Sequence, residues 1–273
     1  MSQTPLHIRQ MTLGDIDCVV KLKDQVGWNQ TADDIRRLID YEPEGCFMAE
    51  VDGVPVGTVS TTSYGTRLAW IGMMLVLPEY RRRGIAKRLM QTSIDYLQGR
   101  GVTCIKLDAT PLGQPLYEQL GFHAEWGFQR WEREGDDVAR FPPAGTLSAD
   151  LLRLDEQAFG ADRTSWLTRV AAGCRVFTAP SAFGMLRPGS VATYLGPIVA
   201  RDKVNVEPMI DEMLATITGR VFWDIPTGHT VSEKLATRLG FRPVRQLLRM
   251  WSGEGNVTGR PDLQFALLDP TTG

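Results

Sequence analysis

Apolar and polar positions along the chain follow two periodicities, which predict both strands and helices along the sequence. Short apolar or alternating runs predict strands, and apolar positions three and four residues apart predict helices. In the first half, strands are expected at 6–11, 46–51, 54–61, 68–77, 102–107 and 122–131, with helices from Thr12, Thr31 and Gly84 and a short one at 116–120. In the second half, strands are expected at 174–178, 181–187, 191–199, 221–225 and 244–251, with helices at 147–159, 165–172, 206–218 and 231–239. This order predicts an α/β fold of the α+β type, and a loop from Ser252 with one last apolar segment, 263–268.

The stretch 132–145 divides the chain. It is charged and then rich in Pro and Gly, without a sustained apolar period, so we predict a linker there and two domains, 1–134 and 146–273. The halves also carry an internal repeat, because the segment 105–108 leading to 116–122 is echoed by 221–224 leading to 235–241. The repeat predicts that both halves share one fold.

A strand, a tight loop and a helix start meet near Gly84. The strand ends in Leu75, Val76 and Leu77, the loop contains Arg81, Arg82 and Arg83, and the helix opens with Gly84, Ile85, Ala86 and Lys87. N–H groups at a helix N-terminus have no partner inside the helix and lie at the positive end of its dipole, so they can bind an anion. A glycine lets a ligand approach the main chain. The stretch therefore predicts a phosphate-binding loop, although three arginines in a row most often form a solvated surface.

Two motifs together resemble the GNAT superfamily of acyl-CoA-dependent N-acetyltransferases: R-x-x-G-x-A at 81–86 and L-Y-x-x-x-G-F at 116–122. The resemblance covers residues 6–131, and with the repeat it implies two GNAT-like domains, each a mixed, mostly antiparallel central sheet flanked by helices. It implies that residues 81–87 hold the CoA diphosphate and that the main chain of Leu75, Val76 and Leu77 pairs with the pantetheine arm. Acetyl-CoA is the implied donor. Tyr117 is the implied acid that protonates the departing thiolate, with a packing role as the alternative.

The sequence does not identify the general base for the amine. Relatives often carry a carboxylate on the strand before the phosphate loop, but residues 69–74 contain none. A water chain, Glu50 or a main-chain carbonyl are open alternatives. Asp108 and Asp224 end apolar strands, where capping is the usual role and a base or substrate role is the alternative. Trp28 and Trp126 are interpreted as packing side chains, with a substrate wall as the alternative.

The second half resembles a degenerate copy of the same fold. Where the first half has its arginine–glycine loop, residues 196–203 have no matching glycine cradle. We therefore expect this half to bind CoA weakly or not at all and to wall the substrate site. Asp155, Asp162 and Arg163 are candidates for that wall, with helix capping and surface pairing as the alternative.

Composition narrows the class of partner. The 273 residues carry 30 basic and 32 acidic side chains, a formal net charge of −2, so the charge does not favour nucleic acid or an anionic membrane. No apolar run approaches the roughly 20 residues of a membrane span, and no signal pattern opens the chain, so we expect a cytoplasmic protein. Cys18, Cys46, Cys104 and Cys174 stand singly and are expected to be reduced core thiols, and no metal site is expected.

These features predict an N-acetyltransferase that moves the acetyl group of acetyl-CoA to a primary amine of a small molecule or peptide, by direct attack in a ternary complex. An acyl-CoA-binding sensor without turnover is the alternative, which the missing strand carboxylate motivates. A transferase of longer acyl or aminoacyl groups is a third. The sequence leaves open the acceptor, the base, any ligand of the second half and the oligomeric state.

Overall fold

The computed structural model describes residues 6–135 and 142–273, so part of the expected linker, 136–141, lies outside the described residues. In the first half the strands are β1 (Leu6–Gln10), β2 (Cys46–Val51), β3 (Val54–Tyr64), β4 (Leu68–Val76), β5 (Cys104–Ala109) and β6 (His123–Arg133). The helices of this half are α1 (Ile16–Gln25), α2 (Ala32–Tyr41), α3 (Ile85–Gly99) and α4 (Gln114–Gln119). In the second half the strands are β7 (Arg175–Ala179), β8 (Ala182–Arg187), β9 (Thr193–Ala200), β10 (Val221–Pro226), β11 (Arg242–Gly253) and β12 (Gln264–Ala266). Its helices are α5 (Ala149–Phe159), α6 (Thr164–Ala171), α7 (Val206–Ala215) and α8 (Thr230–Arg238).

Local signals explain where most elements begin and end. Thr31 caps α2 in a capping box, because its hydroxyl accepts from the N–H of Asp34 and the Asp34 carboxylate accepts from the N–H of Thr31. The expected strands and helices are confirmed, with two differences. β6 runs to Arg133, so Glu132 lies in a strand rather than in the linker, because it pairs with Phe222 of β10. The last apolar segment is also a strand, β12, rather than part of a loop.

The sheets of the two halves join into one. Within the described residues the order is β1-β2-β3-β4-β5-β11-β6-β10-β9-β8-β7, with β12 beside β9. The halves exchange their long strands, since β11 of the second half lies between β5 and β6, and β6 of the first half pairs with β10. The pairs β4–β5 and β9–β10 are parallel and the others are antiparallel. The expected mixed, mostly antiparallel sheet is confirmed, and the exchange makes it continuous.

Matching ion pairs fasten the exchanged strands. Arg249 of β11 binds both carboxylate oxygens of Asp108 at 3.0 Å, and these two residues face each other across β5 and β11. Arg130 of β6 binds both oxygens of Asp224 at 2.8 and 2.6 Å, in the same register across β10. Bidentate pairs of this kind have demanding geometry, so each pair sets the register between the halves.

The parallel strands of each half separate after a short contact. β4 and β5 pair at Ala69–Ile105 and Trp70–Lys106 and then diverge, and β9 and β10 pair at Thr193–Val221 and Tyr194–Phe222 and then diverge. In the second half β12 enters this gap, where it pairs with β9 and the N–H of Leu267 donates to the carbonyl of Asp224 at 2.9 Å. In the first half no strand of the described chain enters the corresponding gap.

Helices cover both faces of the sheet. On one face, α1 and α2 share an apolar core with α5 and α6, so this core belongs to both halves. On the other face, α3 and α4 pack against the first half, while α7 and α8 pack against the second. Among the helices in residues 6–135 and 142–273, none has the length and apolar character that crossing a bilayer requires.

Candidate functional site

The loop between β4 and α3 presents a row of unpaired N–H groups. Arg82 and Gly84 both adopt left-handed conformations, with φ of 61° and 78°, which turns successive N–H groups towards one concave surface. In the part of the chain that the structure describes, no acceptor takes the N–H groups of residues 82–87. A Cβ at Gly84 would meet no protein atom within 4 Å, so the space over the loop is open. The arrangement is suited to an anion.

The cations of this loop divide into two kinds. Arg81 donates from Nε to the carbonyl of Val76 at 3.1 Å, and Arg83 donates to the carbonyl of Glu79 at 3.0 Å while it stacks on Tyr80. These two side chains brace the loop. Arg82 and Lys87 are exposed and have no side-chain hydrogen bond or ion pair with any described residue, so they are available to an anionic ligand.

Three predicted residues at the end of β4 have different roles. The N–H of Leu77 donates to Val56 of β3 at 2.9 Å, so in the alternating antiparallel pattern the main chain of Val76 points away from β3 and into the gap. Leu75 and Leu77 face β3 with their main chains, and their side chains pack on Leu22 of α1. The gap therefore faces the main chain of Val76, whose carbonyl accepts from Arg81.

A bulge in β4 opens the gap. The register with β3 shifts between Thr58 and Ser60, and Met73 opposite this shift has a φ of 48°. The hydroxyl of Thr58 donates to the carbonyl of Met73 at 2.8 Å and fixes this conformation. The pairing of β4 with β5 ends at Trp70, and because a bulge bends its strand, the bulge at Met73 adds to the separation that follows.

Tyr117 of α4 packs on the α3 side of the gap. It belongs to the apolar cluster that also contains Val76, Ala109 and Ile85, and its ring meets Phe122 edge to face. Its side chain is buried, and burial raises the pKa of Tyr117 to about 12. The phenol is therefore protonated at neutral pH.

The carboxylates considered as bases are engaged elsewhere. Glu50 binds Arg9 at 2.8 Å on β2 and is not brought to the gap. Asp108 is the carboxylate of β4 and β5, and burial raises its pKa to about 6, but both of its oxygens bind Arg249. Since Asp224 forms the same pair in the half whose gap is filled, the pair is explained by the joining of the two halves. Trp126 stacks on Arg249 at 4.3 Å and serves that pair.

The polar candidates of the second half have structural roles. Asp155 and Arg163 form a buried ion pair at 2.8 Å, and Asp162 accepts from the N–H of Thr164 at 2.8 Å as a helix cap. Arg163 also donates to the carbonyl of Gly273 and so holds the end of the described chain. Asp162 thus lies at a helix start as the alternative expected, whereas Asp155 and Arg163 are paired inside the core rather than at the surface.

The second half instead grips the loop between α1 and α2. The side-chain oxygen of Asn29 accepts from the N–H groups of Val191 and Ala192 at 2.7 and 2.8 Å, and its amide donates to the carbonyl of Ala192 at 2.9 Å. Trp28, beside Asn29, is partly buried against the apolar core that α1 and α2 share with α5 and α6. Sequence reasoning missed Asn29, because a lone asparagine in a loop gives no signal of its partner.

A segment that sequence reasoning also missed lies on β4. Residues 269–273 cover Gly72, and a Cβ at Gly72 would lie 2.1 Å from the carbonyl oxygen of Thr271. The indole N–H of Trp70 donates to the carbonyl of Pro270 at 3.2 Å. The only sequence signal was a glycine inside a buried strand, which is typical of a close main-chain approach.

A cavity of about 620 Å³ lies elsewhere, in the second half. Its walls include Arg153 of α5, Ser181 between β7 and β8, and Arg201 after β9. Arg153 pairs with Asp150, and none of the described residues that line this cavity belongs to β4, to β5 or to the loop at residues 81–87. The loop and gap of the first half are therefore the better candidate site.

The four cysteines are free thiols. Cys46, Cys104 and Cys174 are buried, and burial raises the pKa of Cys46 to about 12. Cys18 is only partly buried. The expectation of core thiols is thus confirmed for three of them.

Comparison with known proteins agrees with this geometry. Residues 17–122 match the model of the acetyltransferase (GNAT) family, and residues 151–266 match an acetyltransferase (GNAT) domain model. The chain is 26% identical over 241 residues to the uncharacterized N-acetyltransferase YitH of Bacillus subtilis (strain 168), covering 82% of this chain and 83% of that protein. It is 22% identical over 244 residues to holothin acyltransferase of Pseudoalteromonas sp. (strain SANK 73390), covering 83% and 81%. The crystal structure of a protein from Pyrococcus horikoshii, described as a putative acetyltransferase, is 24% identical in sequence. The match covers 100% of this chain and 97% of that chain, with a TM-score of 0.87. The chain therefore belongs to the GNAT acetyltransferase family, as an acyltransferase with one GNAT domain in each half.

Proposed function

We propose that the chain is an N-acetyltransferase that moves the acetyl group of acetyl-CoA to a primary amine of a small molecule or peptide, in a ternary complex at the first half. The observation that carries the proposal is the row of unpaired N–H groups at residues 82–87, at the mouth of the open gap between β4 and β5. The diphosphate of acetyl-CoA would satisfy these donors, and Arg82 and Lys87 would add positive charge.

The open gap suits the pantetheine arm. An extended chain with amide groups can add to a strand edge, and the main chain of Val76 faces this gap. The second half supports the idea, because β12 fills the corresponding gap and meets the carbonyl of Asp224. Because β12 occupies the gap between β9 and β10, a pantetheine arm could not bind there in the second half.

Tyr117 is the proposed acid. The free amine nitrogen attacks the thioester carbonyl, the new C–N bond forms and the C–S bond breaks, and the hydroxyl of Tyr117 gives its proton to the departing thiolate sulfur. The nitrogen loses one proton to solvent, and the Tyr117 phenolate takes one back from solvent, so the products are the N-acetylated amine and the CoA thiol. Because burial raises the pKa of Tyr117 to about 12, the proton is present throughout the neutral range. A phenol is a weaker acid than a thiol, so the transfer needs the thiolate to be held against it.

The two domains, 1–134 and 146–273, divide the work in this proposal. The first binds the donor, and the second walls the acceptor site. The grip of Val191 and Ala192 on Asn29 supports this division, since it fixes the loop between α1 and α2 on the face opposite α3.

Isothermal titration with acetyl-CoA tests the donor site. We expect one binding site per chain. Arg82→Gln should weaken binding, since it removes the charge and leaves the same left-handed conformation to be adopted by an L-residue, and Gly84→Val should abolish binding. Turnover of acetyl-CoA with a panel of primary amines should be lost in Tyr117→Phe while binding is kept. Absence of acetyl-CoA binding would refute the proposal. Binding without turnover in any amine would favour the sensor, which the absence of a carboxylate from β4 supports.

A further inference from the structure

We propose that the segment Asp269–Gly273 is a wall of the acceptor pocket in the first half and limits the size of the amine. This inference rests on the proposed function. The carbonyl of Thr271 lies against Gly72, where even a methyl group would come within 2.1 Å of it. Gly72 lies two residues after Trp70, the last residue of β4 that pairs with β5, and directly precedes the bulge at Met73. The segment from the second half thus lies beside the opening of the gap.

The segment occupies the face from which an amine must arrive. α3 and Tyr117 pack on one face of the first half, and α1 and α2 pack on the other. The segment lies on the second of these faces, since it contacts Trp70 and Phe159 of the core shared with α1 and α2. With the donor in the gap and α3 closing the first face, an amine would have to reach a thioester from the face on which this segment lies.

Both halves hold the segment rigidly. The hydroxyl of Tyr64 donates to the carbonyl of Thr272 at 2.6 Å, and Gln30 donates to the hydroxyl of Thr271 at 2.9 Å. Arg187 of β8 binds Asp269 at 2.8 Å. Thr271 and Thr272 are 7% and 1% exposed, so the segment is part of the core and not a loose end. A rigid wall excludes large acceptors by size, and loosening it should admit them.

Two variants on the neighbouring strands β3 and β4 are expected to loosen the segment. Gly72→Ala adds a methyl group that the carbonyl of Thr271 must move away from, and Tyr64→Phe removes one oxygen and its bond to Thr272. Tyr41→Phe is the matched control, because it removes a similar bond, to the carbonyl of Ser63 at 2.9 Å, without touching the segment. Gly127→Ala is the second control, since its Cβ would meet its nearest neighbour at 3.4 Å.

The assay measures kcat/KM with acetyl-CoA and n-alkylamines from methylamine to n-hexylamine, together with 2-phenylethylamine. We expect the n-hexylamine to methylamine ratio to rise about tenfold or more in Gly72→Ala and Tyr64→Phe, with acetyl-CoA affinity unchanged. Both controls should keep the wild-type ratio. If the wild type binds acetyl-CoA but acetylates none of these amines, turnover should appear in the two release variants.

Unchanged ratios in both release variants, or no gain of turnover where the wild type has none, would overturn the inference and leave the donor site standing. Equal changes in the controls would also overturn it. A wild-type chain that does not bind acetyl-CoA would instead refute the proposed function, and this inference with it.

Discussion

Gly84 and Gly101 offer a test of the phosphate-binding loop with an internal control. Both flank α3, both have left-handed φ values, 78° and 75°, and a Cβ at either would meet no protein atom within 4 Å. Alanine therefore has the same folded-state problem at both positions, namely backbone strain. The positions differ in one respect, because Gly84 adjoins the unpaired N–H groups of residues 82–87. A methyl group there stands where the diphosphate must approach.

The expected magnitudes separate stability from binding. A left-handed conformation costs an L-residue about 1–2 kcal/mol, partly offset by the lower entropy of the unfolded chain, so each variant should lose about 1 kcal/mol. That corresponds to a Tm about 2–4 °C lower for a chain of this size class. Loss of one charge-assisted hydrogen bond to phosphate in Gly84→Ala is worth about 1.5–3 kcal/mol. The Kd for acetyl-CoA should therefore rise about 10- to 150-fold, and only in this variant.

Thermal unfolding without ligand and isothermal titration with acetyl-CoA measure the two effects on the same samples. We expect similar Tm values for Gly84→Ala and Gly101→Ala and a large difference in Kd. Wild-type affinity in Gly84→Ala would refute a diphosphate site at this loop. Equal losses of affinity in both variants would show that strain in α3, rather than the open cradle, controls binding.

Other predictions address the acid, the exchanged strands and the thiols. Because burial raises the pKa of Tyr117 to about 12, the kcat of the wild type should not fall with rising pH below about pH 11. Tyr117→Phe should lower kcat about 10²- to 10⁴-fold. A decrease of kcat near pH 9 that disappears in the variant would contradict a buried phenol. Arg249→Met and Arg130→Met each leave a buried carboxylate unpaired. The free energy of unfolding, measured with urea at pH 7, should therefore fall by about 3–5 kcal/mol in both variants. A fall of less than about 1 kcal/mol in either variant would argue that its ion pair does not fasten the exchanged strands. An unpaired buried carboxylate has a folded-state pKa above its unfolded value, so this loss should shrink as the pH falls. A thiol reagent followed by mass spectrometry should label Cys18 first and Cys46 only after unfolding, since burial raises the pKa of Cys46 to about 12; early labelling of Cys46 would contradict its burial.

Local signals in the sequence were sufficient for the elements and for the proposal of a donor site. Thr31 and Asp34 predict the start of α2 because a capping box spans three residues. Residues 81–87 predict an anion site because a strand end, a glycine and a helix start are all local features. The repeat at Gly121 and Gly240 likewise predicted two related halves. Where a function needs only neighbours in the chain, the pattern of residues carries it.

Only the tertiary structure decided how the halves combine. Arg249 and Asp108 are 141 positions apart, and their charges alone do not reveal that β11 enters the first half. An apolar pattern cannot distinguish a strand that pairs within its own half from one that pairs across, because burial is the same in both. The pattern also places the segment 263–268 in a loop, because the three residues of β12 are too few to show an alternation, although β12 pairs with β9. Gly72 and Thr271 meet through main-chain atoms, which carry no signal of their partner in the sequence. The sequence by itself therefore determined the loop at residues 81–87, and long-range packing alone decided what lies beside the gap between β4 and β5.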